Sequence, residues 1–342
     1  MAIGTSVKST QGLKLAIYHE ATMGDSGLNS GAVRYQLPIL SPPTIQDLTG
    51  VLESTPSIIG QYNHAQNHSV HNRASQMYEI GFQILGSPAV LDLMCLYLIN
   101  DGDGTNALQG GYSPPAMLNG ADTDYSVCID IAGGGYETAS ASVKKDIRYV
   151  GCVAKSMTLN HAIDNESGLP VIDMVFVTGY APQYTDDLTD GDYTPVKLTG
   201  DGATPFTNWN SANTYIDSNG AGYEIHPYSY SVSISREIER VGFGDYTNYE
   251  PDGYAMMGVW EVEMSIDYKR DENFDNFLAK LSSGAEITAR IGDASANPFK
   301  IECVGLVSDH STDTGSAELR NTITIKGMVT NNTSADLIVL SM

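Results

Sequence analysis

Hydrophobic and polar residues alternate strictly along two stretches of the chain. Tyr78, Ile80, Phe82 and Ile84 are separated by Glu79, Gly81 and Gln83. Trp260, Val262, Met264, Ile266 and Tyr268 are separated by Glu261, Glu263, Ser265 and Asp267. A period of two puts the two sets on opposite faces of a β-strand, one buried and one polar. Each strand leads into a helical pattern: Val90, Leu93, Met94 and Tyr97 after the first, Phe274, Phe277, Leu278 and Leu281 after the second. Spacings of i, i+3, i+4 and i+7 predict a short amphipathic helix with one apolar stripe. Ser87-Pro88 supplies a capping hydroxyl and an N1 proline for the first. Asp271 or Asn273 is placed to cap the second, and Gly284 to end it.

The two strand-helix runs lie 184 residues apart, and the same offset relates Gly60 and Tyr62 to Gly244 and Tyr246, and Glu53 to Glu237. Farther on the offset shrinks. Val127, Ile129 and Ile131 match Ile287, Ala289 and Ile291 at 160, and Val175, Val177 and Gly179 match Ile323, Ile325 and Gly327 at 148. The first loss falls in the Gly/Asn/Asp-rich stretch 102–124, as an insertion in a loop requires. Such self-similarity predicts an internal duplication, each half running strand, long loop, strand, helix and then several strands. Cys152 and Cys303 fall in similar strands and are expected as equivalent core positions rather than disulfide partners. The expected organisation is an arm over residues 1–49 that needs something to pack on, a first domain over 50–184, a linker over 185–222 rich in turn residues, and a second domain over 223–342. The fold class is mainly β with short helices.

Composition narrows the function. The chain has 342 residues, 41 Asp+Glu against 18 Lys+Arg, and a formal net charge of −23. That balance argues against gripping nucleic acid through its phosphates, which needs clustered Lys and Arg. A hydrophobic fraction of 42% is too high for a disordered chain. No apolar run approaches the roughly 18 residues of a membrane span, and the N-terminus lacks the basic start and apolar stretch of a secretory signal. The four Cys include no Cys-x-x-Cys pair and are expected to be reduced and buried.

Candidate chemistry is sparse. His64, His68 and His71 have metal-ligand spacing, but the matching stretch 248–257 holds no His, so no metal is expected. Asp101-Gly102-Asp103-Gly104 begins like a calcium loop, yet its twelfth position is Tyr112 rather than Glu. Gly133-Gly134-Gly135 lacks the Gly-Lys-Ser/Thr of a phosphate loop and is expected at a hairpin tip. No nucleophile elbow or triad context appears. The expectation is no enzyme, no cofactor and no catalytic residue. What remains is an acidic strand face: Glu261, Glu263 and Asp267 in one half, Glu79 and Gln83 in the other.

With those residues in hand, the chain resembles the tail tube proteins of long-tailed bacteriophages. The resemblance rests on Ser235-Arg236-Glu237-Ile238-Glu239-Arg240, the Tyr/Gly-rich stretch after it, Val259-Trp260-Glu261-Val262-Glu263, the helix after Arg270 and the strand Thr322–Met328. The first half repeats this order and closes with Phe176-Val177-Thr178-Gly179-Tyr180. The resemblance implies two tandem β-sandwich domains, each flanked by a helix, with inner sheets that join those of neighbouring copies into a closed β-barrel lumen. It implies homotrimeric pseudo-hexameric rings, or homohexamers as the alternative, stacked into a tube in the virion tail after assembly in the host cytoplasm. Glu79, Gln83, Glu261, Glu263 and Asp267 would line the lumen, through which DNA passes without specific binding. Tyr62, Tyr246, Tyr249 and Tyr254, in long loops, would contact the next ring. Implied partners are further copies of the chain and the tape measure, terminator and baseplate proteins. A terminator or baseplate ring on the same fold, or a carbohydrate-binding β-sandwich, are the alternatives.

Overall fold

A computed structural model describes residues 13–25, 33–47, 77–100, 105–109, 117–119, 125–132, 146–162, 170–185, 194–196, 215–218, 221–242, 250–270, 284, 286–292, 300–315, 319–328 and 336–341. The first half carries β1 (Lys14–His19), β2 (Tyr35–Leu37), β3 (Thr44–Asp47), β4 (Tyr78–Leu85), α1 (Pro88–Ile99), β5 (Thr105–Gln109), β6 (Met117–Asn119), β7 (Val127–Ala132), β8 (Asp146–Ala162), β9 (Val171–Thr178), β10 (Gln183–Thr185) and β11 (Thr194–Pro195). The second carries β12 (Tyr215–Ser218), β13 (Ala221–Glu224), β14 (Pro227–Val241), β15 (Gly253–Lys269), β16 (Ile287–Gly292), β17 (Lys300–Asp313), β18 (Arg320–Gly327) and β19 (Asp336–Ser341). The chain is mainly β, its strands joined in one large sheet system. No helix among the described residues is long and apolar enough to cross a membrane.

The alternating segments are strands, as their pattern requires. In β4, Ile80, Phe82 and Ile84 are buried while Gln83 is exposed; in β15, Trp260, Val262, Met264, Ile266 and Tyr268 are buried while Glu261 and Glu263 are exposed. Helix α1 starts where Ser87-Pro88 put it: the Val90 amide donates to Ser87 Oγ at 3.3 Å, and Asn100 closes the helix in the left-handed region with φ 56°. It is not amphipathic, however. Leu91, Cys95, Leu98 and Ile99 are buried along with Val90, Leu93, Met94 and Tyr97, so the helix is enclosed nearly all round. The helix expected after Arg270 lies outside the described residues.

Strand pairing repeats between the halves in chain order. The pairs β1–β2, β1–β7, β3–β4, β4–β9, β7–β8, β8–β9 and β8–β10 correspond to β12–β13, β12–β16, β14–β15, β15–β18, β16–β17, β17–β18 and β17–β19. A β-bulge even recurs at one place, between Ala154 and Ser156 in β8 and between Val307 and Asp309 in β17.

Register corrects four sequence matches, among them Gly327, whose counterpart is Thr178 rather than Gly179. Ile80 pairs with Phe176 and Met264 with Ile325, so Phe176, not Val177, is the counterpart of Ile325, and Met174, not Val175, that of Ile323. The offset is one larger than expected, and one residue of slip exchanges the faces of a strand. Cys303 sits opposite Ala289, whose counterpart Ile129 faces Tyr149, so Cys152 and Cys303 are not equivalent. The cause is an extra residue in β8 beside Gly151, at φ +59°. All four cysteines are buried thiols outside any disulfide.

The segment expected as an N-terminal arm takes its place in the first half. β1 lies between β2 and β7, with Leu15, Ala16, Ile17 and Tyr18 buried. In the expected linker, β11 pairs with β2 and β12 with β16. The repeated order therefore starts at β1 and at β12. The halves are also sewn together, because β8 pairs with β14, β6 with β15 and β5 with β19.

Candidate functional surface

The pairing β8–β14 makes one antiparallel sheet across the two halves, in the order β3–β4–β9–β8–β14–β15–β18–β17. Directly paired residues share a face, so the faces can be followed across all eight strands. One row runs Gln83, Asp173, Thr158, Ser233, Glu263, Lys326. The next runs Gly81, Val175, Ser156, Ser235, Glu261, and beyond lie Asn160, Ser231, Ser265 and Thr324. The opposite face is core: Phe82, Met174, Leu159, Val232, Met264 and Ile325 are buried.

Glu79, Gln83, Glu261, Glu263 and Asp267 therefore share one face of a single sheet. Its chemistry is hydroxyl-rich more than densely negative. Lys155 Nζ lies 2.9 Å from Glu79 Oε2, Arg320 lies 3.8 Å from Asp267 Oδ2, and Glu263 faces Lys326 across the strands. Asn160 Nδ2 donates to Asp173 Oδ2 at 3.1 Å. Partial burial raises the Asp267 carboxyl above its ordinary pKa, with Asp313 adding to the rise and Arg320 opposing it. Over the seam between halves the face is hollowed, lined by Asn160, Ala162, Ser229, Ser231, Ser265 and Asp267. Such a surface is wetted, and Lys155, Arg320 and Lys326 are each set against a carboxylate of the same face.

Tyr254 is elsewhere, and this is a correction. It lies in β15 rather than in a loop and is fully buried, so no loop tip presents it to a neighbouring copy. Its hydroxyl donates to the Gly151 carbonyl at 2.9 Å and accepts from the Gly179 amide at 2.8 Å, fastening the second half onto the bulge of the first. Tyr62, Tyr246 and Tyr249 lie outside the described residues, as do His64, His68, His71, Asp101–Gly104 and Gly133–Gly135.

Around the same bulge sits Glu20, which no sequence pattern singled out. Its carboxylate, fully buried, accepts from the Gly151 amide at 2.6 Å, the Gly24 amide at 3.1 Å and the Ser126 hydroxyl. Burial pushes its pKa up to about 7, although these donors pull the other way. The Tyr180 ring lies against Gly24 and Gly151, where a Cβ would come within 2.3 Å of it. Two glycines at positive φ thus let a tyrosine, a carboxylate and a strand from the other half meet at one point.

Scanned against models of known protein families and compared with curated proteins, the chain matches none.

Proposed function

We propose that this chain is a structural protein that assembles with copies of itself into rings stacked as a phage tail tube, a passive conduit for DNA. The observation that carries the reading is the eight-stranded sheet: continuous through both halves, apolar behind and polar in front, with no described strand on the outer side of β3 or of the part of β17 after its bulge, whose earlier part pairs with β16 and β19. A sheet left open in this way invites pairing unless its edges are covered. Closing copies head to tail removes the edges and turns the shared polar face into a wall. An interior of roughly eight strands is filled by side chains, whereas roughly sixteen or more leave an aqueous channel, so a passage needs more than one copy.

The chemistry of that face suits transit. DNA carries about one charge per 1.7 Å of its axis, and a basic wall would hold it by counterion release. Ser156, Thr158, Ser231, Ser233, Ser235 and Thr324, interspersed with carboxylates, give a wetted wall without that grip. In this reading Glu79, Gln83, Glu261, Glu263 and Asp267 line the bore, the stoichiometry is three chains per ring with pseudo-sixfold symmetry from the repeated halves, and the protein resides in the virion tail.

Electron microscopy of the purified protein tests the reading. Hollow rings or tubes are expected. A monodisperse monomer at all concentrations would refute it, and rings that never stack would favour a terminator or baseplate role. In assembled tubes, Glu261→Lys, Glu263→Lys and Asp267→Lys together are expected to create salt-sensitive retention of DNA that the parent tubes lack. Variant tubes indifferent to DNA would place these residues away from the bore.

A further inference from the structure

One pairing in the repeat has no counterpart among the described residues. In the first half, the C-terminal part of β8 is flanked on one side by β9 and on the other by β14, over Ser156–Ala162. Its equivalent in the second half, the part of β17 after the bulge, pairs with β18 on one side, and no described strand lies on the other. The equivalent of β14 is β3, since both precede and pair with matching strands: Ile45 faces Ile80 as Val232 faces Met264. β3 pairs with β4 alone among the described residues. Among the described residues this leaves one β8-like edge and one β14-like edge without a neighbouring strand, and the two are not paired with each other.

Resting on the ring-forming reading, we infer that β17 of one copy pairs antiparallel with β3 of the next, in the register that β8 and β14 use at the seam between halves. That seam sets Ser231 opposite Asn160, Val232 opposite Leu159 and Ser233 opposite Thr158. Transposed through the matched pairings, it sets Thr44 opposite Asp313, Ile45 opposite Thr312 and Gln46 opposite Ser311. Burial supports the transposition. Val232 has 0% exposure under its neighbour, whereas its counterpart Ile45 is 39% exposed. Residues 311–313 are likewise exposed where Leu159 is fully buried. The interface between copies is also more polar than the seam it imitates, because Thr312 stands where the seam has Leu159. That polarity keeps an exposed edge tolerable before assembly.

Paired cysteines test the register. Directly opposite residues bring their Cα atoms within disulfide reach, and a two-residue slip takes them out of it. Ile45→Cys with Thr312→Cys is expected to give a ladder of covalent multimers on mild oxidation, ending at the number of chains in a ring. Ile45→Cys with His310→Cys, one rung pair away, and the parent protein, whose thiols are buried, are expected to give none. As a second variant, Ile45→Lys is expected to leave a folded monomer that does not assemble. Rings or tubes in micrographs without the Ile45–Thr312 ladder, or with Ile45→Lys assembling normally, would overturn the edge pairing and leave the tube reading standing. A parent protein that stays monomeric would overturn both.

Discussion

The same rung of the repeat carries an ion pair in both halves, with its polarity reversed. In the first, Asp130 on β7 faces Arg148 on β8; in the second, Arg290 on β16 faces Glu302 on β17. Strands have only small net dipoles, so nothing in the backbone prefers one order of charges, and the rung requires only that they be opposite. Burial separates the two. Asp130 has 0% side-chain exposure and Arg148 13%, against 28% for Arg290 and 19% for Glu302. Arg148 grips Asp130 with two bonds, Nε to Oδ1 at 2.7 Å and Nη2 to Oδ2 at 2.9 Å, which holds its own pKa above the ordinary value. Removing Arg148 strands a carboxylate in the core, so Arg148→Ala is expected to cost about 3–5 kcal/mol in denaturant unfolding. Arg290→Ala is expected to cost about 1 kcal/mol, its partner being partly solvated. Equal losses would show that burial does not set the worth of this rung.

The bulge at Gly151 is the second difference, present in β8 and absent from β17. It brings the Glu20 carboxylate into the core with a pKa raised from 4.5 to about 7. Between those values the folded chain binds a proton that the unfolded chain has released. The stabilisation is therefore complete below about pH 4.5 and is lost as pH rises through 7. Glu20→Gln is expected to abolish this part of the slope, a difference on the order of 3 kcal/mol across the window. Parallel stability–pH curves for the parent and Glu20→Gln would show that Glu20 does not titrate there. Next in size, Tyr254→Phe leaves the Gly151 carbonyl and the Gly179 amide without the hydroxyl that joins them. The expected loss is about 1–3 kcal/mol, read from unfolding midpoints, and an unchanged midpoint would mean that the halves are held by the strand pairings alone.

These differences also mark how far the residue pattern could be followed. Alternation over Tyr78–Ile84 and Trp260–Tyr268 dictates strand and face directly, and Ser87-Pro88 dictates the start of α1, because a period and a cap are local facts. The one-residue error at β9 arose because Val175 and Val177 are as β-prone and apolar as Met174 and Phe176. Only the partner strand decides which pair is inside. Helix α1 shows a stripe because it is apolar nearly all round, with Asp92 its one charged residue, so more than one stripe can be drawn along it. The seam β8–β14, the anchoring of Tyr254 and the burial of Glu20 depend on residues brought together from 67 to 131 positions away, and no local pattern encodes them. Ile45, in a stretch with only short apolar alternation, gains its meaning from Val232 at the seam.

The smallest expected effect concerns the bulge that both halves share. Lys155 occupies it in β8, where it neutralises Glu79; Ser308 occupies it in β17 and instead donates to the Thr324 carbonyl at 3.2 Å. The first half thus places a lysine over the polar face where the second places a hydroxyl. Lys155 is 39% exposed and Glu79 27%, so the pair is largely screened and its worth is about 1 kcal/mol or less. Lys155→Ser makes the two bulges alike and is expected to change stability by no more than that, while making the polar face one charge more negative. A loss several times larger would mean that the lysine holds the bulge itself, and that the repeat tolerates one hydroxyl at this turn but not two.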